Sequence, residues 1–156
     1  MNIIKYPDPI LREISGPVKL PLSKEDKKTL DEMYSWLKDH SEEAVGLSAI
    51  QIGVKKRMCV IRINRGDKTV NYKLVNPRII SHSKNTFVAP EGCLSVSEEH
   101  DDPIPRWNTV SVIAYDAIIN KNIRIEAFGY VARVLQHEID HMDGILYIDY
   151  IREVEE

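Results

Sequence analysis

The stretch Tyr130-Val131-Ala132-Arg133-Val134-Leu135-Gln136-His137-Glu138-Ile139-Asp140-His141-Met142-Asp143-Gly144 decides how this chain folds. It contains no proline, and Gly144 stands where a helix C-cap belongs. At about 100° per residue, Val131, Leu135, Ile139 and Met142 gather on one side, while His137 and His141 lie about 40° apart on the other. The spacing predicts a helix from Tyr130 to Asp143. Its apolar side packs into a core and its histidine side faces a site.

Upstream the period changes. Short runs rich in Val, Ile and Tyr at 58 to 63, 72 to 76, 78 to 82, 109 to 115 and 122 to 127 are parted by Asn, Gly, Asp and Pro, which predicts strands. Asp116 to Lys121 joins the last two over a hairpin-like distance, so the sheet is at least partly antiparallel. Further back, Ser23 reads as an N-cap with Asp26 three positions on, and Leu30, Met33, Tyr34 and Leu37 follow at helical spacing. That amphipathic helix ends near His40. Residues 3 to 22 are punctuated by proline and read as extended, with one helical turn at Leu11-Arg12 after Asp8-Pro9. No linker or internal repeat divides the sequence. The expected architecture is a single α+β domain over residues 1–156, with mostly antiparallel strands packed around a C-terminal metal-binding helix and an N-terminal amphipathic helix.

Composition narrows the function. A chain of 156 residues with a formal charge of −3 and no long run of like charge lacks the electrostatic footprint of a nucleic-acid partner. No apolar run reaches the roughly 18 residues that a membrane span needs. The N-terminus, Met1-Asn2-Ile3-Ile4-Lys5-Tyr6-Pro7, resembles no secretory signal, which places the protein in the cytoplasm.

Two imidazoles one helical turn apart make half a metal site. Glu138 leaves the helix beside them rather than toward them, suited to a general base acting on metal-activated water. A catalytic site of this kind takes a third protein ligand. Of the two cysteines, Cys59 lies in the strand-like Met58-Cys59-Val60-Ile61 and reads as a buried, inert thiol. Cys93 sits in a polar, turn-rich segment and is the best third ligand, since a thiolate suits soft or borderline divalent ions and adds the charge that imidazoles lack. His40, His82 and His100 are alternatives, but each stands among polar neighbours without a partner at ligand spacing and reads as solvated. Tyr130 and Val134, on the histidine face, are candidate pocket walls.

Glu91-Gly92-Cys93-Leu94-Ser95 and His137-Glu138-Ile139-Asp140-His141, preceded by Ala44-Val45-Gly46-Leu47-Ser48-Ala49-Ile50-Gln51, resemble in this order the three signature motifs of the peptide deformylases. The resemblance implies removal of the N-formyl group from the starting methionine of new proteins, with release of formate. It implies Cys93, His137 and His141 as ligands of one divalent ion, Fe2+ physiologically with Zn2+, Ni2+ or Co2+ able to replace it. It also implies Glu138 as the proton carrier, and the Gln51 amide and Leu94 N–H as donors to the developing oxyanion. Gly46 would let the substrate backbone approach, and Val45 beside it would join Tyr130 and Val134 in a methionine pocket. Ala44, Ser48 and Ile50 depart from the glycine, alanine and proline common at those positions, which touches substrate affinity more than chemistry. The acidic Glu153-Val154-Glu155-Glu156 would be repelled by ribosomal RNA, so ribosome contact is expected to be transient at most. Two rivals differ in class. A zinc-type metallopeptidase shares the two histidines and the glutamate but would ordinarily complete its site with histidine or carboxylate. A structural metal site in a binding module wants four protein ligands and leaves Glu138 without a task.

Overall fold

A computed structural model of the chain describes residues 1–155, with side chains as far as Ile151. Helix α1 (Lys24–Asp39) starts where Ser23 Oγ accepts the Asp26 N–H, as its capping pattern predicts. The strands follow as β1 (Gly46–Ser48), β2 (Met58–Arg65), β3 (Lys68–His82), β4 (Thr86–Ala89), β5 (Ile104–Trp107), β6 (Thr109–Asp116) and β7 (Lys121–Phe128). Helices α2 (Gly129–Met142) and α3 (Ile148–Glu155) complete the order. A five-stranded antiparallel sheet runs β1-β2-β3-β6-β7, and β4-β5 form a separate ribbon. No helix among the described residues is long and apolar enough to cross a membrane.

The two helices sandwich the sheet. Leu30, Met33 and Leu37 of α1 pack with Leu47, Val60 and Val75 on one face, and Leu135, Ile139 and Met142 of α2 pack with Ile61, Leu74 and Val112 on the other. Strand β2 is covered on both sides, so Met58-Cys59-Val60-Ile61 is buried without alternation. Strand β7 has one covered face and shows period two, burying Ile125 and Ala127. Each such Val, Leu, Ile or Met side chain contributes about 1.5–3 kcal/mol on burial.

Three features differ from the expected pattern. The separate strands at 72 to 76 and 78 to 82 are one strand, β3. Its ladder shifts register between Val75 and Arg78, around a proline that cannot donate to a ladder. Asn76 stabilises the irregularity by accepting the Val18 N–H at 2.8 Å and donating to the Val18 carbonyl at 2.9 Å. Second, β1, β4, β5 and α3 are elements that the periodicity does not signal. Third, α2 is buried nearly all round, so polar side chains at Arg133, Gln136, Glu138 and His141 are packed inside and not only along the side that faces the site. Helix α3 is held by the Arg12 guanidinium on both Asp149 oxygens, at 2.6 and 2.9 Å. Gly144 takes φ +73° against the Arg12 carbonyl, where any Cβ would collide. The side chains of the acidic run from Glu153 to Glu156 lie outside the described residues.

Candidate metal centre and cleft

Donor atoms of Cys93, His137 and His141 lie within 4.8 Å of one another, with Cys93 Sγ 3.4 Å from His141 Nε2. Helix α2 supplies the histidines, whose rings are 5.0 Å apart. A tight turn supplies the thiol: the Val96 N–H returns to the Cys93 carbonyl, and the N-terminal segment braces the same turn through Tyr6 N–H to Ser95 carbonyl and the Lys5 ammonium to Leu94 carbonyl. His137 Nδ1 is engaged by Glu91 Oε1 at 2.9 Å, which leaves Nε2 for the centre. Two imidazoles and a thiolate converging from a rigid helix and a braced turn are a donor set that fits a soft or borderline divalent ion. Cys59 stays apart from the cluster, fully buried in β2, where burial raises its pKa and makes it inert.

Of the three other histidines, His82 is exposed as expected and His40 and His100 are partly buried, and each makes a ring contact. His40 stacks on Trp36 at 4.0 Å and His82 on Trp107 at 3.6 Å. His100 lies edge-on to Tyr147 and lines the cleft, but it is not part of the donor cluster.

A buried charge network that sequence reasoning missed holds the centre. Arg106 grips Glu91 through Nε and Nη2, both at 2.8 Å, and reaches Asp140 through Nη1 at 2.6 Å. Arg133 Nη1 donates to the same Glu91 carboxylate, and the Tyr150 hydroxyl donates to Asp140 at 2.7 Å. Burial opposes ionisation of Glu91, but Arg106 and His137 outweigh it and hold the carboxyl well below the usual range. His137 and His141 diverge for related reasons. Burial disfavours charge on both. Cys93 and Glu91 override it at His137 and raise its pKa well above the ordinary value, whereas burial and the positive neighbours His137 and Arg106 keep His141 well below it. One signal of this network was visible in the sequence: Arg133 interrupts an otherwise apolar stretch of helix.

Glu138 is buried and lies outside the donor cluster. Burial pushes its pKa above the usual carboxylate range, opposed by His137 and by the Ser48 hydroxyl. Its carboxylate occupies the space that a side chain at position 46 would need: a Cβ there would sit 2.5 Å from Glu138 Oε2. The glycine is therefore required by the carboxylate, a reason beyond the close substrate approach that the motif implies. Gly46→Ala should keep its metal and lose turnover on the order of 10 to 100-fold, as expected for a misplaced catalytic group. Turnover within about twofold of the parent would show that Glu138 has room to spare.

Gln51 is oriented by its neighbours. Its Oε1 accepts the Ser48 N–H at 2.9 Å, so Nε2 faces Ser95 Oγ at 3.1 Å and Cys93 Sγ at 3.8 Å. A cleft of about 640 Å³ opens over the cluster and brings together Val45, Gly46, Leu94, Tyr130, Val134 and Glu138. Val134 is buried in its wall, and Tyr130, 47% exposed, forms its lip.

Fold and site define a class, the metal-dependent hydrolases that carry their working helix inside an α+β domain. The sequence matches the family model for polypeptide deformylase over residues 1–156, and the chain belongs to the peptide deformylase family. The peptide deformylase of Shouchella clausii is 35% identical, over 99% of this chain and 91% of its own. Among solved structures, a probable peptide deformylase from Synechococcus phage S-SSM7 superposes with a TM-score of 0.85 at 31% identity, covering 96% of this chain and 99% of that one. The class I type b peptide deformylase of Acinetobacter baumannii, in complex with Met-Ala-Ser, gives 0.86 at 26% identity, covering 96% and 97%. The activity is hydrolytic removal of the N-formyl group from nascent peptides, and the metallopeptidase reading is not favoured.

Proposed function

We propose that Cys93, His137 and His141 hold one divalent ion, Fe2+ in the cell with Zn2+, Ni2+ or Co2+ as substitutes, and that the cleft above it deformylates formyl-methionyl chains in the cytoplasm. The convergence of the three donor atoms within 4.8 Å beside the Glu138 carboxylate carries this reading. Such an ion, when bound, supplies Lewis acidity that polarises the formyl carbonyl and lowers the pKa of water. Glu138 takes a proton as the water oxygen adds to the formyl carbon. Gln51 Nε2 and the Leu94 N–H donate to the formyl oxygen as it becomes negative, each worth on the order of 100 to 1,000-fold in turnover. Glu138 then returns its proton to the nitrogen as the C–N bond breaks, giving formate and a free α-amine. Ribosome contact is transient and no nucleic acid is bound directly.

Val45, Tyr130 and Val134 enclose the methionine side chain in this reading, and the Met-Ala-Ser held by the Acinetobacter relative is the expected kind of product. Burying a methionine side chain there contributes on the order of 1.5 to 3 kcal/mol. Val134→Trp should accordingly lower kcat/KM for formyl-Met peptides by more than about tenfold, a loss of about 1.4 kcal/mol or more, with metal content unchanged. Unchanged kcat/KM would make Val134 a packing residue only. Cys93→Ala should abolish stoichiometric metal in protein purified without oxygen, and full occupancy in that variant would remove the thiolate from the ligand set. Formate release from a formyl-methionyl peptide, without internal cleavage, tests the whole reading against a peptidase.

A further inference from the structure

We propose that Ser48 is a positioning residue that sets the Glu138 carboxylate and the Gln51 amide in fixed relation; this rests on the roles given above to those two groups. Strand β1 makes it possible. Side chains two apart on a strand share a face, and Leu47 packs in the α1 core, so Gly46 and Ser48 both face α2. They flank the same carboxylate. Gly46 makes the space that Oε2 fills, and Ser48 Oγ donates to Oε1 at 2.9 Å, with the Glu138 carbonyl oxygen also 2.9 Å away. The same residue's N–H fixes the amide of Gln51 at 2.9 Å and thereby turns Nε2 toward the centre. Ser48 has no exposed surface, so water does not compete for its hydroxyl.

The two functions of Ser48 separate on substitution. Alanine keeps the N–H that orients Gln51 and removes the hydroxyl that orients Glu138. The carboxylate of the Ser48→Ala protein is then confined on the Gly46 side and free to rotate on the other. Although alanine is the residue common at this position and the motif alone points to substrate affinity, the contact of the Ser48 hydroxyl with the Glu138 carboxylate places the effect on the chemical step rather than on substrate binding.

The test is a double-mutant cycle in the metal-loaded enzyme, with kcat, KM, metal content and Tm measured for each member. Ser48→Ala should lower kcat by about tenfold with KM within about twofold and metal content unchanged, and Ser48→Thr, which retains a hydroxyl, should restore most of the loss. In the Glu138→Ala background, Ser48→Ala should change the residual turnover by less than about twofold, because the carboxylate it positions is gone. An equal fold-loss in both backgrounds would make Ser48 purely structural and overturn the proposal, as would an unchanged kcat in the single variant. If Glu138→Ala alone retained near-parental kcat, the base assignment itself would fall and the proposal with it, an outcome distinct from the other two.

Discussion

Replacing Glu138 with alanine is expected to leave the metal bound and to reduce turnover by on the order of 100 to 10,000-fold, the range typical of a positioned acid–base group. The geometry separates the two effects. Glu138 lies outside the cluster of Cys93, His137 and His141, so its loss removes no ligand. Yet it is the buried carboxyl between Gly46 and Ser48 in the cleft. Burial raises its pKa, which brings it nearer the operating pH and suits it both to take a proton and to return one. Metal content by elemental analysis and formate release under anaerobic conditions measure the two halves. Turnover within about tenfold of the parent would remove Glu138 from the role of base. Loss of metal would instead make it a ligand.

Much of this is legible in the sequence, for identifiable reasons. Helix α2 announces itself because apolar periodicity, a glycine cap and two histidines one turn apart occur in a single segment. Strand β2 reads as a strand because both faces are covered and its apolar run needs no polar interruption. The ribbon β4-β5 was not legible: Val88 is exposed and Pro105 lies within a strand, so neither alternation nor composition marks it. Helix α3 gives no such signal, since contacts with other elements hold it, Arg12 with Asp149 and Tyr150 with Asp140. At the site, ligand chemistry singled out Cys93, and the helix placed Glu138. Of the carboxylate–arginine network only Arg133, set in an apolar stretch of helix, gives a signal, because a sequence shows charges without their pairing. Glu91, Arg106 and Asp140 look like ordinary surface residues until the fold buries them against one another. Gly46 shows a subtler limit. The motif implies room there for the substrate backbone, and the group that occupies the space a side chain would need comes from α2, far along the chain.

That network carries the second large expected effect. Glu91→Ala should destabilise the protein by on the order of 3–5 kcal/mol, since removing one partner of a buried ion pair leaves the others charged and desolvated. Arg106 and Arg133 are 3% and 4% exposed, and both direct N–H groups at Glu91. For a domain of this size the loss corresponds to a fall in Tm on the order of 10 °C. Its pH signature has a definite sign. The folded-state pKa of Glu91 is depressed, so its stabilisation is fully present above the unfolded carboxylate value of about 4.3 and is lost as the pH falls through the lower folded value. The parent should therefore lose stability on acidification more steeply than the variant, which has no such carboxylate left to protonate. The same substitution frees His137 Nδ1 from the carboxylate that orients it, and loss of such a partner typically weakens metal binding by 10 to 100-fold. Chelator competition on the folded variant measures that loss separately from stability. Parental Tm together with parental metal affinity would mean that the two arginines and His137 find other partners, and that Glu91 is neither the keystone of the buried charges nor the support of the metal ligand.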